Sequence, residues 1–526
     1  MFELVELNRV LKNPLRVNAR VAYVYPGKYE VMTSSLAHDI IYTYVNRRED
    51  VYLERFTADK VGAGYRSIET GSPLRDFDAV FTTLHYELDV VELVEVLESS
   101  GLPARREDRE IPVIAGGPVV MANPAPYTRV VDAFVVGEVE ATIDRVVDAI
   151  SARAGEGKKA VLEELSQLDY VYVPGFNEGA VRRYAPSLDD VEYPVRQVFD
   201  PDRQPAFGLG FKLELSRGCL FHCSFCMESR LFQPFRHRSL QKTVELAEKG
   251  LEYNRLERVV LYALSFPVTR EDVKVLEYLA GRGVRAVLPS LRLEKLGDEV
   301  LELIRQVGQR ELTLAPESFS VFAQRVLMKY PGLVELAKHK VGSVVRAGFD
   351  VKLYLIYGVK GTGAEDVLET VRIARELASM AKERGRRLVL SFNPLIPKAR
   401  TPFAYIGMMG LDRLSRLEKL VDRELRGFAR VREFNVKTSF VQASLSLGGG
   451  QIADLVLEWS LRGGGYANWV KLARERGVDL RYVYNGLDPD SEPPWSNIVV
   501  DGLEEKVLRA QVEAIKHLVG SAGEKQ

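Results

Sequence analysis

The sequence predicts an α/β protein made of two successive parallel-sheet units and a small α+β domain at the end. Three observations predict this. Strand-like and helix-like stretches alternate in two blocks, within residues 20–152 and 211–392. Such alternation marks βαβ units and a mostly parallel sheet. Turn formers close the runs, as at Pro26-Gly27 and Gly116-Gly117-Pro118. A connector carrying Pro201 and Pro205 separates the blocks.

In the first block, residues 20–25 read as a strand and 35–45 as a helix. Residues 51–56, 78–84, 111–115 and 132–136 read as further strands, with helices over 89–99 and 138–152. This is a Rossmann-like sheet domain, residues 1–152. Ligands of such sheets bind beyond the carboxyl ends of the strands. The tips there are Tyr25-Pro26-Gly27, Thr82-Thr83-Leu84-His85 and Gly116-Gly117. His38 and His85 themselves read as ordinary core or surface histidines. Residues 153–206 form a connector, with short extended pieces around Pro174-Gly175.

In the second block, strands are expected at 211–216, 258–263, 284–289, 311–315, 351–357 and 387–392. Amphipathic helices fall between them at 239–253, 270–282, 298–307, 334–347 and 365–384. Val367, Leu368, Val371, Ile373 and Ala374 recur at helical spacing and read as core. Six β–α units make a partial (β/α)6 TIM barrel over residues 207–409. Catalytic groups of such barrels sit at the carboxyl ends of the strands. Residues 410–526 read as a cap domain, with a helix over 411–426, a strand over 435–447, and helices over 452–462 and 503–518. A polar tail follows over 520–526. Gly448-Gly449-Gly450 reads as a turn and Trp495 as a packing residue.

The chain has 526 residues, 46% of them apolar, and carries 72 basic against 73 acidic residues. That balance gives no bulk drive toward nucleic acid, although a local basic patch stays open. The acidic start, Glu3 and Glu6, is unlike a secretory signal, and no apolar run reaches membrane-spanning length. The expectation is a soluble, cytoplasmic protein without membrane partners. Three clustered cysteines argue against a disulfide framework and for a reducing compartment.

Those cysteines stand in Arg217-Gly218-Cys219-Leu220-Phe221-His222-Cys223-Ser224-Phe225-Cys226, directly after the first barrel strand. Thiolates bind iron–sulfur clusters and zinc. A structural zinc takes four protein ligands, whereas three thiolates on a [4Fe–4S] cluster leave one iron open. A zinc site completed by His222 or His237, or a non-catalytic scaffold, is the competing reading. The Cys-x3-Cys-x2-Cys spacing, with Phe225 before the last cysteine, resembles the cluster motif of the radical S-adenosylmethionine (SAM) superfamily. The resemblance implies that Cys219, Cys223 and Cys226 hold a [4Fe–4S] cluster whose open iron chelates SAM. It implies reductive cleavage to a 5′-deoxyadenosyl radical acting on an unidentified substrate, with ferredoxin or flavodoxin as electron donor.

The same resemblance assigns further cofactor-binding residues. Many radical enzymes carry Gly-Gly-Glu after strand two to hold the SAM amino group. Here Leu264-Ser265-Phe266 stands there, so the contact falls to backbone or Ser265. Ser290 and Arg292 follow strand three. Glu317 follows strand four, where a carboxylate suits ribose hydroxyls or a helix N-terminus. Gly358 and Gly361 follow strand five, where glycine lets backbone approach adenine or simply turns the chain. Arg230, Arg236, His237 and Arg238 read either as a solvated basic loop or as holders of an anionic group.

Ala115-Gly116-Gly117-Pro118, Asn123-Pro124 and Val136-Gly137-Glu138-Val139-Glu140 resemble the N-terminal domain of cobalamin-dependent radical enzymes, many of them methyltransferases. Cobalamin is therefore a candidate cofactor. Where many cobalamin proteins carry Asp-x-His-x-x-Gly, this chain reads Tyr25-Pro26-Gly27-Lys28-Tyr29-Glu30, without histidine. A ligand-free domain that only packs on the barrel is the alternative. Methylthiolation is disfavoured, because no cysteines remain for an auxiliary cluster.

Overall fold

The computed structural model describes residues 4–59, 65–330, 334–433, 435–501 and 505–523. Leu503, where the last helix was expected to begin, and the end of the polar tail lie outside them.

The N-terminal sheet comprises β1 (Ala19–Tyr25), β2 (Val51–Thr57), β3 (Ala79–Thr83), β4 (Val113–Gly116), β5 (Ala133–Val135) and β6 (Val171–Tyr172). Their order is β2-β1-β3-β4-β5-β6, with β1 to β5 parallel and β6 antiparallel to β5. Helices Leu36–Asn46 and Val139–Ala152 pack against each other beside it. Strands β2 and β3 are buried at every residue, as expected of a sheet covered on both faces. The strand order reverses between β1 and β3, the switch point where such sheets open a crevice.

β7 (Ala180–Val181) pairs in parallel with β17 (Ile498–Val499), tying the connector to the end of the chain. The barrel opens with β8 (Phe211–Glu214), and β9 (Ser216–Arg217) pairs antiparallel with β10 (Arg236–His237). β11 (Arg258–Tyr262) and β12 (Arg285–Val287) lie parallel to β8 in the order β12-β11-β8. Leu291 bridges Phe266 on one side and Leu314 on the other, leading into β13 (Glu311–Glu317), β14 (Asp350–Tyr357) and β15 (Leu388–Pro394). The six expected strands are all present. A further parallel strand, β16 (Arg430–Glu433), extends the sheet past β15.

One expectation fails. Residues 435–447 form a helix, Val436–Leu447, rather than a strand. Every described face of it is buried except near its start, so no apolar stripe distinguishes a helix from a strand. The informative signal was Asn435, whose side chain caps the helix by accepting from the Lys437 and Thr438 amides. Helix Tyr466–Glu475, which follows Gly465 (φ 85°), was also not anticipated. Trp495 is buried, as expected. One continuous apolar core joins the N-terminal sheet, the barrel and much of the C-terminal region. The last helix, Glu505–Gly523, packs Val512 and Ile515 on Val359, Leu395 and Phe403.

Candidate functional site

The thiol loop spans residues 218–235, between β9 and β10, so the antiparallel pair closes its base. Gly218 has φ +85°, and a Cβ there would lie 2.5 Å from the Phe232 carbonyl oxygen. Only glycine fits that turn. The loop is pinned at several points. Ser224 donates its amide to the Leu327 carbonyl (3.1 Å) and its hydroxyl to the Val326 carbonyl (2.7 Å). Gln233 donates to the Cys219 carbonyl (2.7 Å), and the Ser229 hydroxyl to the Cys226 carbonyl (3.0 Å).

Cys223 is buried, and Cys219 and Cys226 are partly so. Burial pushes the Cys226 thiol up to about 12. It also raises Cys223, against the opposing pull of Lys329 and then Arg292. Among the described residues, no three His, Cys, Asp or Glu side chains converge tightly enough to hold a single metal ion.

The strand ends bring most of the expected cofactor residues around this loop. The Ser265 hydroxyl lies 3.6 Å from the Cys219 sulfur. The Arg292 guanidinium is buried, 3.6 Å above the Phe221 ring, and pairs with Glu294. Glu317 sits at φ 63° and pairs with Lys329 at 2.7 Å. A buried carboxylate is stabilised by such a partner, and Lys329 faces the Cys223 side as well. Lys329 was missed because nothing in the sequence links it to a strand end. Ser290 is half-buried, with no side-chain hydrogen bond among the described residues. Gly358 (φ +73°) packs against the Leu414 side chain, and Gly361 against Phe322. The crowding that requires glycine there comes from the protein itself.

The basic residues after the loop are not a solvated patch. Arg217 and Arg236 are drawn inward by acids from distant segments. Arg217 pairs with Glu138 (2.8 Å), Glu140 (2.8 Å) and Glu214 (2.9 Å). Arg236 pairs with Glu138 at 2.6 Å, and Arg238 donates to the Glu214 and Leu188 carbonyls. His237 pairs with Asp272 at 2.8 Å. Arg230 reaches Gln511 in the last helix, and burial lowers it to about 10. The solvated reading failed because Glu138 and Glu140 lie some eighty residues upstream.

A cavity of about 710 Å³ opens between the two units. Its first wall is the carboxyl edge of the N-terminal sheet, with Tyr25, Thr83, His85, Gly116 and Gly137. Its second is the barrel, with Glu214, Arg217, Glu228, Phe232, Tyr262 and Leu264. Its apolar part, a sleeve, is lined by Leu36, Ile40, Ile41, Ile114, Ile143 and Val146. A site of this size with few polar groups suits a large organic ligand. The sequence identified the sheet tips but not the sleeve.

Residues 37–174 match the family described as "Radical SAM proteins, N-terminal", and residues 213–374 match the Radical SAM superfamily. An uncharacterised protein of Methanocaldococcus jannaschii is 26% identical over 449 residues, 82% of this chain and 90% of that protein. An uncharacterised methyltransferase of Pyrococcus horikoshii is 30% identical over 152 residues, 27% of this chain and 31% of that one. The fold is shared with the radical SAM methyltransferase TsrM of Kitasatospora setae, solved with cobalamin and a [4Fe–4S] cluster bound. The TM-score is 0.51 at 14% identity, covering 87% of this chain and 99% of that one. With these matches on both units, the chain belongs to the radical SAM superfamily, enzymes that work with a [4Fe–4S] cluster and SAM.

Proposed function

We propose that Cys219, Cys223 and Cys226 hold a [4Fe–4S] cluster at which SAM is reductively cleaved, and that the cavity takes cobalamin for methyl transfer to an unidentified substrate. The observation that carries the first half is the pinned thiol loop, with every cysteine of the chain on it and Ser265, Arg292 and Lys329 around it. When bound, the cluster and SAM supply a 5′-deoxyadenosyl radical by reductive cleavage.

The residues have separate tasks. Lys329 and Arg292 supply positive charge beside Cys223, which favours thiolate over thiol. Ser265 and nearby backbone would contact the SAM amino group. Glu317, neutralised by Lys329, offers a carboxylate to the ribose. Ser290 and Arg292 would complete the nucleotide site, whereas the close approach that Gly358 permits is taken by Leu414. The last helix ties down one side of the loop through Gln511, which donates to the His222 carbonyl (3.1 Å).

The cobalamin half rests on the shape of the cavity. Its walls are the sheet edge on one side and, on the other, barrel residues that include Glu228 and Phe232 of the thiol loop, and the apolar lining of the sleeve suits an aromatic tail. Cobalamin, when bound, supplies a cobalt that carries a methyl group.

Anaerobic reconstitution with iron and sulfide tests the first half. The expected result is about four irons per chain, broad absorption near about 400 nm and 5′-deoxyadenosine after reduction with SAM. Stoichiometric zinc without deoxyadenosine would overturn it. Hydroxocobalamin titration and desalting test the second. Failure to retain the corrinoid would remove the methyltransferase reading and leave radical chemistry on the substrate itself.

A further inference from the structure

We propose that His85 supplies the lower axial nitrogen to the cobalt of a cobalamin seated in the cavity. This rests on the cobalamin reading above and goes beyond it by naming a protein ligand. The sequence treated His85 as ordinary, because the loop after the first strand carries no histidine. The structure moves attention to the third strand.

His85 stands two residues past the end of β3, beside the switch point between β1 and β3. Among the described residues it is the histidine that lines this cavity. His38, by contrast, is fully buried between the rings of Tyr23 and Tyr42, and His237 is engaged by Asp272. The His85 residue is exposed to the cavity, yet its position is held. Asp89 accepts from the His85 amide (2.8 Å) and the Tyr86 amide (2.9 Å), which fixes the loop. The Tyr25 ring lies 5.7 Å from the imidazole and supports one flank.

The ring chemistry suits a ligand. One ring nitrogen has the Thr83 carbonyl as its partner. A carbonyl accepts only, so that nitrogen carries the proton and the other keeps its lone pair. Metal-bound histidines are arranged this way, their second nitrogen donating to a carbonyl or carboxylate.

The walls also give the disc an orientation. His85 is on the sheet side. Leu264, on the barrel wall of the cavity, stands one residue before Ser265, whose hydroxyl approaches Cys219. A corrin lying between them turns one face to His85 and the other toward the thiol loop. Cobalt exchanges one nitrogen for another: the bond to the dimethylbenzimidazole breaks, the bond to His85 forms, and the released tail enters the sleeve between helices Leu36–Asn46 and Val139–Ala152.

The test is electron paramagnetic resonance of the full chain loaded with cob(II)alamin, prepared once with natural histidine and once with 15N-histidine. A nitrogen-14 ligand splits each cobalt line into a triplet, and a nitrogen-15 ligand into a doublet. Triplets that become doublets on labelling are expected, with the splitting lost in His85→Gln while the corrinoid is still retained. Triplets that persist would mean the benzimidazole stays on cobalt, and unsplit lines would mean no nitrogen ligand; either overturns the assignment while leaving the cobalamin reading intact. A chain that retains no cobalamin at all fails the earlier reading, and the His85 assignment falls with it.

Discussion

In the N-terminal sheet, β2 and β3 are buried at every residue, whereas in the barrel β14 and β15 alternate strictly between buried and half-buried. Both sheets are parallel, and both gather their candidate ligand groups at the carboxyl ends of strands. The N-terminal sheet is covered on both faces, so only its edge and the sleeve remain for a ligand, and these are mostly apolar. The barrel covers its outer face with helices and keeps a lumen. There Lys352, Tyr354, Ser391 and Asn393 sit half-buried, with Lys352 bonded to Tyr354 (3.1 Å) and Asn393 to Ser391 (3.2 Å). One architecture thus offers an apolar slot and a polar chamber, joined through Arg217 and its three carboxylates.

The sharpest test of that division is Cys223→Ala. It should cut deoxyadenosine formation by about a hundred-fold or more and lower bound iron, while hydroxocobalamin still survives desalting. Loss of both together would mean that the two chambers are one site. Next is the seam. Arg217→Met leaves Glu138, Glu140 and Glu214 facing one another with less positive charge, and should cost about 3–5 kcal/mol in chemical denaturation. A change under about 1 kcal/mol would show that the units are held together by apolar packing alone.

Ala37→Phe places a ring at the half-buried sleeve wall. It should weaken cobalamin retention about tenfold at unchanged iron content, because the sleeve loses volume that the tail needs. Equal retention would place the corrinoid elsewhere. Ser265→Ala should shift SAM affinity about threefold, the scale of one hydrogen bond, read by equilibrium binding to the reconstituted protein.

A last test concerns β10. Burial works against a charged His237, but Asp272 outweighs it and raises the ring above its ordinary value. A raised folded pKa means that the charged pair stabilises fully below about pH 6.5 and loses its contribution as pH rises through the folded value. His237→Gln should therefore cost about 1 kcal/mol at pH 6 and less at pH 9. A pH-independent difference would mean the pair acts by packing only.

Much of this was legible beforehand. The six barrel strands and the first five strands of the N-terminal sheet occur where turn residues and apolar runs placed them, since these signals are local. Val436–Leu447 was misread because burial on all sides erases periodicity. Ser265, Arg292 and Glu317 were reachable because the barrel rule sends strand ends to one rim. Lys329 was not, since its partner lies twelve residues away across the end of a helix.

The order of residues alone determined the alternation of elements, the grouping of every thiol on one loop and the glycine at its base, because each depends on spacing along the chain. Only the folded molecule decided where the Arg217 and Arg236 charges are spent, how large the slot between the units is, and that His85 faces it. Those depend on which surfaces meet when segments far apart in the chain bury a common core, and local spacing carries no record of that.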